Sequence, residues 1–220
     1  MTQKALEFNP IEFMAATIRS SPGPVTVVVT GPMTNTALLL SVYPELKEKI
    51  EAISFMGGAC FGGNSTPLSE YNMYVDPEAA AIVFRSGVPL VMCGLDVTLK
   101  AQLYTHEIQG LIELGNKAGK MMGELLAFFH RTTTPDFLNP EREEGAHLHD
   151  PCAVAILTHP DKFVCKDLYG YVSTSDDAAR GCTVLDYNGT SGKEPNVRVA
   201  FGIDRDWFAD YVKRCVAQFQ

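Results

Sequence analysis

Apolar residues in the first hundred positions fall in short blocks separated by capping and turn residues. "VTVVVT" (25–30) is a continuous β-branched run, which predicts a strand covered on both faces. "AISFM" (52–56) and "PLVMC" (89–93) predict two more buried strands. Helical patterns with their own start and stop signals lie around them. Asn9 reads as a cap, Pro10 suits the first helical position, Glu12 can reach back to the cap, and Pro22-Gly23 ends that helix. "GPMTNTALLLSVYP" turns from the first strand into a second helix. Asp76-Pro77 opens a third, which stops at Gly87. This alternation predicts an α/β fold, doubly wound and Rossmann-like, with a mostly parallel sheet and helices on both faces.

The later half is less regular. "THEIQGLIELG" and "NKAGKMMGELLAFFHR" read as amphipathic helices, followed by a polar loop, "TTTPDFLNPEREEGAHLH". Asp150-Pro151 repeats the cap-plus-proline pattern ahead of "CAVAILTH". "GCTVLDYNG", "NVRVAFGI" and a helix from about Asp204 close the chain.

Ligands of such sheets bind beyond the carboxyl ends of the strands. Three segments fall there: "TGPMTN", "MGGACFGGNSTPLSEYN" and "CGLDVT". The middle one is long and polar for a strand-to-helix connection, which points to a polar pocket.

Bulk properties narrow the partner. A net charge of −8 argues against a nucleic-acid backbone, and no apolar run is long enough to span a bilayer. The amino terminus lacks an apolar signal core, and the six scattered cysteines read as buried thiols of a reducing compartment, so the expected location is cytoplasmic.

Asn64, Glu70 and Asn72 offer donors and acceptors that suit vicinal hydroxyls. The same groups also suit a loop that caps itself, and spacing does not choose between the two. Asp96 orients a ligand or fixes its own turn, with the turn the commoner case. Phe128, Phe129 and Tyr104 could stack on a base, although such stripes usually belong to a core. His147, His149 and Asp150 admit a zinc reading, but no paired ligand motif accompanies them.

"TGPMTNTALLL", "ISFMGGACFGGNSTPLSEYNMYVDPEAAAIVF", "PLVMCGLDVT" and "HDPCAVA" together resemble the inosine–uridine preferring nucleoside hydrolases, with the motifs in that family's order over most of 25–157. The resemblance implies hydrolysis of the N-glycosidic bond of ribonucleosides to ribose and a free base, one bound Ca²⁺, and a homo-oligomer, dimer or tetramer. Carried over by residue, Asp150 matches a calcium ligand and Thr34 a threonine whose carbonyl ligates the metal. Asn64, Glu70 and Asn72 match the ribose-holding residues, and Met56 a methionine near the sugar. His149 matches the histidine that protonates a purine leaving group, which leans towards purines.

The chain departs from the family at its start. A strand ending in D-x-D-x-G-x-D-D, which supplies most of the calcium shell and the general base, has no counterpart here. The expectation is one nucleoside hydrolase-like domain, 1–220, lacking about a hundred N-terminal residues, with a bare sheet edge or apolar surface. Such a chain alone is expected to release no base. A non-catalytic ribose-binding remnant is the alternative.

Overall fold

The computed structural model describes residues 9–132 and 145–219. In chain order its elements are α1 (Pro10–Ser20), β1 (Val25–Val29), α2 (Thr34–Val42), β2 (Ile50–Met56), α3 (Tyr71–Val75), α4 (Pro77–Phe84), β3 (Leu90–Cys93) and α5 (Leu95–Thr98). There follow β4 (Gln102–Tyr104), α6 (Thr105–Ile112), α7 (Lys117–Thr132), β5 (Gly145–His147), α8 (Pro151–Thr158), β6 (Phe163–Leu168), β7 (Gly170–Val172), β8 (Thr183–Leu185), β9 (Val197–Ile203) and α9 (Arg205–Ala217). Most of the polar loop foreseen after α7 lies outside the described residues.

The main sheet has the order β1-β2-β3-β9-β6. β1, β2, β3 and β9 run parallel, and β6 closes the far side antiparallel to β9. The doubly wound α/β architecture foreseen from the alternation is therefore present. The alternating faces of the strands feed two separate cores. Ile53 and Phe55 of β2 and Leu90 and Met92 of β3 pack with α1, α2 and α4. Val91 and Cys93 of β3 and Ala200 of β9 face the opposite layer, with α6, α8 and α9.

Local signals place the helix starts. Asn9 Oδ1 accepts the Ile11 N–H at 2.8 Å, and Asp76 Oδ1 accepts the Ala79 N–H at 3.0 Å. Asp204 does the same for Trp207 at 3.1 Å. Asp150 does not conform: it has helical dihedrals and makes no side-chain cap bond.

β1 also departs from expectation. Its odd-numbered valines enter the first core, but Val28 on the other face is 39% exposed. β1 is the edge strand of the described sheet, so one flank and part of one face lack the cover that a central position provides. Two of the cysteines, Cys93 and Cys152, are buried, whereas Cys165 is exposed on β6. Among the described residues, no helix is long and apolar enough to cross a membrane.

Candidate functional site

The parallel strands bring three connections together at their carboxyl ends. Gly57 N–H donates to Cys93 O at 3.3 Å and Leu95 N–H to Gly58 O at 2.9 Å, which ties the turn after β2 to the turn after β3. Ser54 Oγ donates to Ala153 O at 2.7 Å and so draws the first turn of α8 against β2. Met56, Ala59, Leu95 and Ala153 pack together at that junction.

Gly58 lies at φ +73°, and a Cβ there would meet Thr183 Oγ1 at 2.5 Å. The turn therefore needs glycine. It aims the Gly58 N–H at Glu70 Oε2, 2.9 Å away. The same oxygen takes the Met73 N–H at 3.3 Å and so caps α3. Asn72 Nδ2 donates to Met56 O at 3.0 Å. Asn64 Oδ1 accepts the Tyr71 N–H at 2.9 Å. The self-capping reading of this loop is therefore realised, yet it does not exhaust the groups. Among the described residues, Asn72 Oδ1 and Asn64 Nδ2 take no hydrogen bond.

The electrostatics single out the same place. Burial raises the pKa of Glu70 against the lowering effect of three backbone N–H groups, and the negative charge of Asp150 raises it further. Burial also raises Asp150. Two carboxyls that cost free energy to ionise, one feeling the other, favour a positive charge between or beside them. Burial lowers the pKa of His149, whose Nδ1 lies 2.8 Å from Thr98 Oγ1.

The structure thus holds Glu70, Asn72 and Met56 at one junction, with Asp150 near enough for its charge to act on Glu70 and His149 preceding Asp150, while Asn64 is bound to the Tyr71 N–H. Thr34 is not among the residues that line the groove at Asp150. Thr34 begins α2, and its hydroxyl donates to Asp76. Thr30, directly after β1, instead lines the same groove as Asp150, a space of about 430 Å³ bounded by α8 and α9. Its place at the carboxyl end of a parallel strand was the available signal.

Asp96 fixes a loop other than its own. Its carboxylate accepts the N–H groups of Cys60, at 2.7 Å, and Phe61, at 3.2 Å. Phe128 and Phe129 are exposed on α7, and the Arg205 guanidinium lies over the Tyr104 ring, 4.1 Å from its centroid. Neither observation gives a base-stacking site. Among the described residues, no group of three or more His, Cys, Asp or Glu is placed to hold a metal, so the zinc triad of His147, His149 and Asp150 is not formed. A cavity of about 710 Å³ lies by Pro89 and Pro195 at the amino ends of β3 and β9, away from these groups.

The family described as inosine-uridine preferring nucleoside hydrolase matches residues 2–210. The pyrimidine-specific ribonucleoside hydrolase RihA of Shewanella sp. (strain ANA-3) is 45% identical over 96% of this chain and 65% of its own. That of Citrobacter koseri is 46% identical over 94% and 65%. The solved purine-preferring ribonucleoside hydrolase from Gardnerella vaginalis superposes with a TM-score of 0.86 at 32% identity, covering 98% of this chain and 67% of that one. The chain spans 65% of the length of those RihA relatives. With a match over nearly all its residues, the chain belongs to the inosine-uridine preferring nucleoside hydrolase family.

Proposed function

We propose that this chain carries the sugar-holding part of a ribonucleoside hydrolase, which cleaves the N-glycosidic bond to give ribose and a free base. The junction of Glu70, Asn72 and Met56 beyond the carboxyl ends of β2 and β3, with Asp150 near enough for its charge to act on Glu70, carries this reading. Asn72 Oδ1, Asn64 Nδ2 and the carboxylates offer ribose hydroxyls both acceptors and donors. Cleavage passes through a sugar with oxocarbenium character, and ionised carboxylates held in a partly dry site stabilise that positive charge. His149, neutral in its resting state near pH 7, donates a proton to the leaving base from its protonated form.

The calcium implied by the family needs six to eight oxygens. The described residues offer the Asp150 carboxylate and the strand end at Thr30, and they do not complete such a shell. They therefore fit the ion only in part, and no step is routed through it. The flank of β1 that has no partner among the described strands, next to Thr30, suits a further strand that brings the remaining donors. In this reading residues 1–220 form one domain of a cytoplasmic homo-oligomer.

The RihA relatives are named pyrimidine-specific, whereas the more distant solved relative is named purine-preferring, which supports uridine or cytidine as substrate over inosine. A base-release assay on uridine, cytidine and inosine tests this, using the chain alone and the chain joined to the remaining third of a relative's length. Turnover of pyrimidine nucleosides by the joined protein alone supports the reading. Failure of both to bind or cleave any ribonucleoside overturns it. Binding without turnover in both would favour a ribose-binding remnant.

A further inference from the structure

The β7–β8 hairpin lies outside the main sheet, yet contacts from its turn converge on the loop that carries Glu70. Ser69 is fully buried, and its hydroxyl donates to Arg180 O at 2.6 Å. The Ser69 carbonyl in turn collects the N–H groups of Asn64, Ser65 and Thr66, at 3.2, 3.0 and 3.2 Å. One residue before Glu70, the whole polar loop is thus tied to the hairpin. The Arg180 guanidinium reaches both carboxylate oxygens of Glu78 on α4, at 2.8 and 2.9 Å. A Cβ on Gly181 would meet Tyr74 Cα at 2.7 Å, so the hairpin backbone lies directly on α3. Thr183 sits beneath Gly58, the residue whose N–H holds Glu70. It is 4% exposed, and its hydroxyl has no partner among the described residues.

The hairpin turn is stiff by itself. Ser173 N–H donates to Cys182 O at 2.9 Å and Gly181 N–H to Ser173 O at 2.8 Å. Asp177 Oδ1 accepts the Ser175 hydroxyl at 2.7 Å and the Ala179 N–H at 2.8 Å. A stiff support that touches Gly58, whose N–H holds the carboxylate, and Ser69, which fixes the backbone one residue before it, sets where that carboxylate sits.

We infer that the β7–β8 hairpin is a positioning device for Glu70, with Ser69, Arg180 and Glu78 as its positioning residues. This rests on the ribose-holding reading above. The Arg180–Glu78 pair is partly exposed, so its loss has little effect on folding and its measurable effect is on sugar binding. Contacts made equally to bound substrate and transition state act on KM rather than kcat.

The test uses the joined, catalytically complete protein with uridine. Arg180→Glu and Glu78→Arg each raise KM about three- to tenfold with kcat nearly unchanged, and the double reversal restores KM. Ser69→Ala raises KM in the same way, and thermal melting run in parallel separates folding from positioning. Single reversals that leave KM unchanged, or a KM defect that the double reversal does not repair, overturn the inference while leaving the ribose site intact. Glu70→Gln serves as the control. Silence there as well overturns the ribose-holding reading itself.

Discussion

The Gly58 N–H donates to Glu70 Oε2 at 2.9 Å, joining the end of β2 to the start of α3 across twelve residues. The bond holds a carboxyl that burial and the charge of Asp150 both push towards its neutral form. Its raised folded pKa makes a sign-definite demand on stability. A carboxyl whose pKa is higher folded than unfolded contributes fully below its ordinary value, near 4.5, and loses that contribution as pH rises through the folded value. Urea midpoints from pH 4.5 upward should therefore fall in the wild type relative to Glu70→Gln. Parallel curves would mean that Glu70 ionises freely.

Asn72 spans two functions. Its Nδ2 satisfies Met56 O, and its Oδ1 is left for a ligand. Asn72→Ala leaves a buried carbonyl unpaired and should lower stability by about 1–3 kcal/mol in chemical denaturation. In the joined protein it should also raise KM for uridine and lower kcat, each by about tenfold.

Asp96→Ala removes the acceptor for Cys60 and Phe61. Charge-assisted bonds of this kind contribute about 1.5–3 kcal/mol each. The expected result is faster hydrogen exchange at those two amides and a lower kcat/KM, while the amides of β9 keep their protection.

His149, its pKa lowered by burial, is mostly neutral at pH 7. Any purine turnover that needs a protonated leaving group should rise as pH falls towards the depressed pKa, on a limb below the ordinary 6.5. His149→Ala should remove that limb and reduce inosine turnover roughly a hundredfold, with a smaller effect on uridine. Equal losses on both substrates would remove the proton-donor role.

Elements that depend on neighbours in sequence were legible before the structure. Asn9, Asp76 and Asp204 accept N–H groups two or three residues on, so a short window suffices to identify them. Asp150 shows the limit of that window. It looks like Asp76 in sequence, yet Asp76 caps its helix and Asp150 does not. Which case holds depends on β2, drawn close by Ser54, ninety-nine residues from Ala153. β1 reads as a central strand because its valines alternate nothing, but cover on the second face depends on which strand lies beside it. In "TGPMTN" both threonines look alike, and only the end of the strand distinguishes Thr30, facing the Asp150 groove, from Thr34, bound to Asp76. The Arg180 support, from more than a hundred residues away, had no sequence signal.

Saturation-transfer NMR of uridine with the 220-residue chain, compared with Asn72→Ala and Glu70→Gln, reads directly whether this pocket grips the sugar. The ribose H2′ and H3′ protons should receive the strongest transfer, and either substitution should remove it. Transfer confined to the base, or ribose signals that survive both substitutions, would contradict the sugar-holding reading.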